Sequence, residues 1–253
     1  MIVFRYDKTF DGLLCVVFEA YNRKIFPEKL LGLNDIEPLF TSEVYIITTQ
    51  REPATRVWKG LRKKLSVRAF NMIMYAWLSE LENTDELLLR LIKKIFDNKD
   101  SIETNFADID LLETQKIALK VSKEKMYLQQ FARFQKTADD IYVAPLSPVY
   151  NALPLSLAYF KDRFADQKWI VYDTKRQYGF YYDLKSVVEI TLDNDLNLPN
   201  GQLDESIMSE DEKLFQQLWK SYFKSVTIKE RINLKLHRQH MPKRFWKYMP
   251  EKQ

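Results

Sequence analysis

The sequence predicts an α+β fold, with a small mixed sheet, a helical middle region and a helical, basic C-terminal segment. Three observations support this prediction. Strand-like and helix-like segments alternate at the start, helical periodicity dominates the middle, and short β-branched or aromatic segments precede a helical end. No internal repeat or low-complexity tract interrupts this order. The length allows one large domain or two small ones, and we expect a single α+β domain over residues 1–253.

The first 50 residues predict a strand, a helix, a connection and a second strand. Residues 2–6 predict a short strand, and the apolar run within residues 11–21 predicts a buried helix. Two prolines and weak periodicity make residues 24–42 a connection. The β-branched residues within 43–49 predict the next strand.

Helical spacing of apolar residues continues through the middle of the chain. Residues 52–80 form one helical pattern with a break near Leu65-Ser66, and residues 85–96 form a second. Residues 108–136 predict a long third helix without Gly or Pro. Residues 84–140 are therefore a candidate helical subdomain.

Strand-like segments return after the long helix. They lie at residues 141–146, 169–173, 178–182 and 187–191, and a helix is predicted at 153–164. These segments supply most of the predicted mixed sheet.

The end of the chain becomes helical and basic after a polar loop predicted at residues 193–204. Ser209, with Glu212 three residues later, is typical of a capping box at the start of a helix. A second basic helix is predicted over residues 229–240. Together these segments make residues 205–253 a basic helical tail.

The net charge of +4 is unevenly distributed along the chain. Residues 220–253 hold ten Lys or Arg and two acids, whereas the rest of the chain holds 29 basic and 33 acidic residues. A local excess of this kind predicts an anionic partner, or a solvated face that is simply basic.

Composition excludes several kinds of chemistry. The single cysteine, Cys15, excludes an internal disulfide, a cysteine-based zinc site and a self-contained iron–sulfur cluster. Two histidines leave few metal schemes, and Walker and Rossmann glycine motifs are absent. We therefore predict no metal and no cofactor. The sequence has neither a membrane-spanning stretch nor an evident signal peptide, so we expect a cytoplasmic protein without a membrane partner.

Aromatic residues alternate with cations in the tail. This composition suits nucleic acid, because cations neutralise phosphates while rings stack on exposed bases. The candidate DNA-binding residues are Arg231, Arg238, His240, Lys243, Arg244, Trp246 and Tyr248. The alternative is that the rings belong to the core and the cations to the wet face of the same helices.

A second set of residues suggests a cleft. Arg keeps its charge, so an Arg cluster beside Asp and Tyr would prefer a phosphate or a carboxylate. The candidates are Arg133, Arg163, Asp173, Arg176 and Tyr182. The alternative is a structural salt bridge, since acids at strand ends are common as turn residues.

Three blocks of the sequence carry a family resemblance. They are FARF and YVAP at 131–134 and 142–145, YFKDRF and WIVYD at 159–164 and 169–173, and LWKSYF and RQHMPKRFW at 218–223 and 238–246. With these blocks the chain resembles a bacterial family of DNA-metabolism proteins that carry a domain of unknown function (DUF4130). The likeness spans nearly the whole chain and is loose over residues 25–120.

The resemblance implies a companion role. Such proteins are similar to partners of a radical-SAM DNA-repair or DNA-modifying protein, and some longer relatives continue into a uracil-DNA-glycosylase-like domain. With one cysteine this chain carries neither cluster, so such chemistry would belong to a partner. Met126 and Tyr159 stand where the family places histidine, which weighs against histidine-dependent catalysis.

Three functional hypotheses follow. The leading one is a DNA-metabolism accessory protein that binds DNA through its tail and cooperates with a radical-SAM or uracil-glycosylase-like repair partner. The second is an enzyme that processes a nucleotide or base in the Arg/Asp/Tyr cleft. The third is a protein–protein adaptor whose basic tail docks on an acidic surface.

Overall fold

The computed structural model describes residues 1–105, 107–192 and 203–252. They form two compact units, Met1–Ser122 and Lys123–Gln253. Compactness does not by itself say whether a unit folds alone, so the single domain over 1–253 and the subdomain at 84–140 stay predictions. The predicted α+β class is confirmed, although the strands form two small sheets instead of one.

The first unit contains a three-stranded parallel sheet in the order β2-β1-β3 and a set of helices. Its elements are β1 (Ile2–Tyr6), α1 (Phe10–Arg23), β2 (Lys29–Gly32), β3 (Glu43–Ile46), α2 (Arg51–Lys64), α3 (Val67–Trp77), α4 (Thr84–Asp97) and the first part of α5 (Ile109–Phe131). Apolar residues of α1, α2 and α4 pack with β1 into one buried core. The break predicted near Leu65-Ser66 is confirmed, because the Ser66 hydroxyl accepts a hydrogen bond from the Ala69 N–H and starts α3.

The predicted connection at 24–42 is wrong in one respect, because it contains the strand β2. This strand has only four residues and pairs in parallel with β1, placing Leu30 opposite Phe4. A strand so short has too few positions to display a period of two, so its pairing depends on tertiary contacts.

The second unit contains a five-stranded mixed sheet in the order β4-β5-β6-β7-β8, with only β5 and β6 parallel. Its strands are β4 (Gln135–Lys136), β5 (Tyr142–Leu146), β6 (Trp169–Asp173), β7 (Tyr178–Tyr182) and β8 (Val187–Ile190). Its helices are the second part of α5, α6 (Leu157–Arg163), α7 (Glu212–Val226) and α8 (Leu234–His240), with 3-10 helices at Pro154–Ser156, Lys229–Arg231, Lys243–Tyr248 and Pro250–Lys252.

Several predicted helix limits are too wide. The helix predicted over 108–136 ends at Phe131, since β4 follows and pairs with β5. The helix predicted over 229–240 is divided, and Asn233 caps the part that continues by accepting from the Leu236 N–H at 3.0 Å. The helix predicted over 153–164 begins as a 3-10 turn.

The predicted capping box is also wrong. Helix α7 begins at Glu212, and the Glu212 carboxylate accepts from the Lys136 N–H at 3.0 Å instead of from the start of its own helix. The carboxylate thus connects α7 to β4. Of the loop predicted at 193–204, residues 193–202 lie outside the described residues.

Candidate nucleic-acid interface

The 3-10 helix Lys243–Tyr248 sorts its residues onto three faces. A 3-10 helix has three residues per turn, so residues i and i+3 share a face. Phe245 and Tyr248 form the buried face, at 0% and 1% exposed. Arg244 and Lys247 form an exposed face. The tail therefore separates its rings from its cations locally.

The buried face is anchored within the second unit. The Phe245 ring lies 5.4 Å from the Phe131 ring and 6.0 Å from the Tyr127 ring, both in the second part of α5. The Tyr248 hydroxyl shares a hydrogen bond of 3.1 Å with the Thr174 hydroxyl. Because Tyr248 is buried here, it offers no ring face on which a base can stack.

A tight turn follows β6 and is organised by Asp173. The buried Asp173 carboxylate accepts from the backbone N–H groups of Lys175 and Arg176 at 2.9 and 3.2 Å, and from the Arg176 guanidinium at 2.8 Å. The same guanidinium donates to the carbonyl oxygens of Pro148 and Val149 at 3.2 and 3.1 Å. Asp173 and Arg176 thus act as a structural ion pair that fixes the turn against the loop after β5.

The turn, this loop and the tail enclose a basic pocket of about 480 Å³. We define the basic pocket by its lining residues, Ser147, Pro148, Val149, Lys175, Lys243, Arg244 and Lys247. Four of the seven are cations, and they come from two segments far apart in sequence. Lys175 and Lys247 were not among the predicted site residues, because nothing in a linear sequence indicates that the β6–β7 turn meets the tail.

Three contacts engage cations that line the basic pocket. The Lys175 ammonium donates to the Val149 carbonyl oxygen at 3.1 Å. Arg244 forms an ion pair with Glu124, whose carboxylate also accepts from the Val149 N–H at 2.9 Å. The Lys247 ammonium lies 4.7 Å from the centroid of the Tyr248 ring. The seven lining residues include four cations and neither Asp nor Glu, a composition that favours an anion.

The remaining predicted tail residues lie elsewhere. Arg231 lies on a 3-10 turn, whereas Arg238 and His240 lie on α8, and all three are exposed. Within the described parts of the chain, none of these side chains makes a hydrogen bond or ion pair. The Trp246 indole donates to the Met241 carbonyl oxygen at 3.1 Å, and its ring lies 5.5 Å from the His237 ring.

Glu251 ties the end of the tail to α7. The Arg133 guanidinium donates to one Glu251 carboxylate oxygen at 2.7 and 3.1 Å, and the Trp219 indole donates to the other at 3.0 Å. Burial alone would raise the pKa of the Glu251 carboxyl. The hydrogen bonds, first of all that from Arg133, outweigh burial and hold the pKa below its ordinary value.

The five residues of the predicted cleft do not converge. Tyr182 pairs with Trp169 at the start of β6, whereas Asp173 lies at its far end, about 13 Å along the strand. The Tyr182 hydroxyl donates to the Ala165 carbonyl oxygen at 3.3 Å. Arg163 is exposed and lies 5.7 Å from the Phe164 ring, and Arg133 is engaged by Glu251. Asp173 and Arg176 alone meet, because they share one turn.

Two further properties concern the described residues only. No group of three or more His, Cys, Asp or Glu side chains among them is arranged to hold a metal ion. No helix in these parts of the chain combines the length and apolar character required to cross a membrane. The cytoplasmic location stays a prediction.

The fold and the basic pocket define the chain as an α+β protein with a candidate anion site on its second unit. It belongs to the family of the domain of unknown function DUF4130, whose model matches residues 82–251. No curated protein matches. Among solved structures the chain is similar to a pGpG-specific phosphodiesterase from Vibrio cholerae, at 12% identity over 90% of this chain and 100% of that one. The TM-score is 0.29.

Proposed function

We propose that this protein binds DNA by holding backbone phosphates in the basic pocket. The observation that supports the proposal most strongly is the convergence of four cations from the β6–β7 turn and the tail around one concave surface. Lys and Arg at such a surface neutralise phosphate charge and release condensed counterions, which is the main source of affinity for nucleic acid.

Two acids near the pocket are already engaged by other groups. Asp173 is fully buried and engaged by Arg176 and by two backbone N–H groups. Glu124 is engaged by Arg244 and the Val149 N–H. The ammonium groups of the lining lysines would bind phosphate as point charges without reading a base. We therefore expect little dependence on DNA sequence.

The family resemblance implies the pathway in which DNA is bound. In this pathway the DNA undergoes repair or modification, and a radical-SAM or uracil-glycosylase-like partner carries out the chemistry. An accessory role also agrees with the scattering of the predicted cleft residues, which leaves the alternative of a nucleotide-processing enzyme without an assembled site. The alternative of a protein–protein adaptor whose basic tail docks on an acidic surface stays a prediction.

The test measures binding of single- and double-stranded oligonucleotides of about 20 nucleotides by fluorescence anisotropy, between about 50 and 200 mM salt. The double variant Lys243→Glu/Lys247→Glu should bind at least about 10-fold more weakly, and the slope of log affinity against log salt should fall by about two. Lys220→Glu/Lys224→Glu is the matched control, because it makes the same charge change on α7, outside the pocket.

The control should lose less than about 3-fold, since its charges act on the DNA only through screened, longer-range attraction. Equal losses in the two double variants would show that general tail charge, and not the pocket, carries binding. Absence of wild-type binding at about 50 mM salt would refute the proposal altogether.

A further inference from the structure

Helix α2 presents a row of cations to solvent. We call this row the α2 basic face and define it as Arg51, Arg56, Lys59, Arg62 and Lys63. All of these residues are exposed. At about 100° and 1.5 Å per residue they fall within an arc of about 140° and extend over about 18 Å of the helix. Glu52 is the one acid on the same arc, so the α2 basic face is strongly positive.

The opposite side of α2 is packed into the first unit. The apolar residues on that side belong to the buried core that α2 shares with α1 and α4. Within Arg51–Lys64, a stretch that the structure describes completely, no large apolar side chain is exposed. Two guanidinium groups rest on rings of the unit, with Arg56 5.9 Å from the Phe18 ring and Arg62 5.8 Å from the Phe70 ring. The helix is therefore fixed by its apolar side, and its free surface is polar and cationic.

The cations of this face differ from the other cations of the first unit in their ion pairs. The unit Met1–Ser122 holds 18 basic and 18 acidic residues, so it is neutral as a whole. Seven of its twelve cations outside α2 pair with acids, as Lys8 does with Asp85 at 2.6 Å. Among the described residues, no carboxylate pairs with a cation of the α2 basic face. Positive charge is thus left without local neutralisation on one helix of a neutral unit.

The remaining cation of α2, Lys64, lies outside the arc and has a structural role. Its ammonium donates to the carbonyl oxygens of Ile95, Phe96 and Asn98 at 2.9, 3.0 and 2.6 Å, where α4 ends. A lysine that satisfies the last carbonyl groups of a helix stabilises that end. The lysines and arginines of the α2 basic face make no such hydrogen bonds to the described residues, so this structural explanation does not extend to them.

The chemistry of the α2 basic face distinguishes among the anionic surfaces that it could meet. A helix that lies on a membrane buries its apolar side among the lipids, but the apolar side of α2 is already buried in the core. Interfaces between proteins have an apolar centre and are depleted of lysine, whereas this face exposes no large apolar side chain. Interfaces with nucleic acid are more polar and much more positively charged. A phosphate backbone is therefore the partner that fits this face.

We propose that the α2 basic face is a second nucleic-acid-binding surface of this protein, which contacts the phosphate backbone of DNA without reading its bases. Each strand of a duplex carries about one charge per 3.4 Å of axis, so about 18 Å of helix lies along about five phosphates. The exposed Thr55 hydroxyl, on the same arc, would donate to a phosphate oxygen. This inference goes beyond the proposed function, because no residue of the basic pocket lies in Met1–Ser122.

The first experiment measures binding of a duplex of about 20 base pairs to the full chain by fluorescence anisotropy, between about 50 and 200 mM salt. Lys59→Glu/Lys63→Glu should weaken binding by at least about 10-fold and lower the salt slope by about two. The matched control is Lys116→Glu/Lys120→Glu, which changes two exposed lysines at the same spacing on α5 in the same unit. The control should lose less than about 3-fold. Equal losses in the two variants, or no loss in the first, would overturn the proposal.

The second experiment needs no substitution and so does not depend on the folding of a variant. Lysines of the wild-type protein are acetylated with an N-hydroxysuccinimide ester, with and without the same duplex, and mass spectrometry follows the modification rates. Lys59 and Lys63 should react at least about 3-fold more slowly when DNA is bound, because phosphates then occupy their ammonium groups. The two control lysines of α5 should react at unchanged rates. Unchanged rates at Lys59 and Lys63 would refute the proposal.

The same rates separate this inference from the proposed function. Protection of the basic-pocket lysines without protection of Lys59 and Lys63 would overturn the second surface and leave the first standing. Protection of Lys59 and Lys63 alone would support the second surface and count against the basic pocket. Absence of protection at both surfaces would refute both.

Two further probes address the other anionic surfaces. Vesicles of phosphatidylcholine and phosphatidylglycerol at about 150 mM salt should not retain the protein through Lys59 and Lys63. Poly-L-glutamate should displace the labelled duplex less well than unlabelled duplex at equal charge, because its charges are about 3.4 Å apart instead of about 1.7 Å. Vesicle retention that Lys59→Glu/Lys63→Glu abolishes would overturn the proposal in favour of a membrane. Equal displacement by poly-L-glutamate would overturn it in favour of an acidic protein.

Discussion

The segment Lys243–Tyr248 and the helix α7 are alike in composition and opposite in outcome. Both alternate aromatic residues with lysines or arginines over a short stretch of the tail. In the first segment Phe245 is completely buried, whereas in α7 Phe215 is 59% exposed. Composition indicates that rings and cations are present, but it does not say which of them reach water.

The difference in burial arises from the helical period of each segment and from the neighbouring elements on which its rings can pack. Three residues per turn place Phe245 and Tyr248 together, and α5 with the β6–β7 turn offers them a surface to pack on. Helix α7 also gathers apolar residues on one side, but among the described elements the Pro250–Lys252 segment is the one that packs most closely against it, and Phe215 stays exposed. A ring is buried only where another element reaches it, which is decided by the tertiary structure.

The largest expected effect tests this comparison with one substitution at two positions. Phe245→Ala should lower the free energy of unfolding by about 3–5 kcal/mol, because it removes a fully buried ring and leaves a cavity. Phe215→Ala should change it by less than about 0.5 kcal/mol, since its ring is in solvent. Urea denaturation measures both. Similar losses at the two positions would mean that α7 is packed, which would break the comparison.

A smaller effect on stability is expected at Glu251, whose carboxylate connects the end of the tail to Arg133 and to Trp219 of α7. Glu251→Gln should lower the free energy of unfolding by about 1–3 kcal/mol, because it removes the charged acceptor for Arg133 and mismatches the Trp219 indole. The matched control, Glu230→Gln on an exposed 3-10 turn, should be nearly neutral. If the control lost as much, the effect would come from net charge instead of from this contact.

The stability difference between the wild type and Glu251→Gln should also depend on pH. The pKa of Glu251 is lower in the folded protein than its ordinary value of 4.5. The contribution of the Glu251 carboxylate to the free energy of unfolding is therefore complete above pH 4.5 and is lost as the pH falls through the folded-state pKa. The stability difference between the wild type and Glu251→Gln should shrink over that acidic range. A difference that stays constant down to the acid transition would contradict the assignment.

The smallest effect concerns His237, whose ring lies beside Trp246. Partial burial, then the charges of Lys252 and Arg238, lower the pKa of His237 below its ordinary value of 6.5. The unfolded chain therefore takes up this proton first, and stability should fall slightly as the pH drops through about 6.5. His237→Gln should reduce that slope relative to the wild type. Equal slopes would show that the ring is not desolvated in this way.

Much of the fold could be predicted because its elements are long or strongly patterned. Helices α1 and α4 and strands β5 to β8 lie close to their predicted positions, since each repeats its apolar residues over several turns or pairs. The short strands β2 and β4 were missed, as four and two residues carry no readable period. The limits of α8 depended on a side-chain cap at Asn233, which competes with helical propensity over only a few residues.

The residues of the candidate site also divide into those that the sequence predicted and those that only the structure revealed. Lys243 and Arg244 were among the predicted residues, whereas Lys175 and Lys247 become part of the pocket only because the β6–β7 turn contacts the tail. Of the predicted cleft residues, Tyr182 and Asp173 lie at opposite ends of the β6–β7 strand pair, which the sequence does not indicate.

The sequence by itself determined the α+β class, the family and the concentration of positive charge near the end of the chain, because pattern and composition are properties of neighbouring residues. Only the tertiary structure decided which rings are buried, which cations meet at the basic pocket and that Phe215 of α7 stays in solvent. Burial and proximity depend on contacts between segments far apart in the chain, and those contacts exist only once the chain has folded.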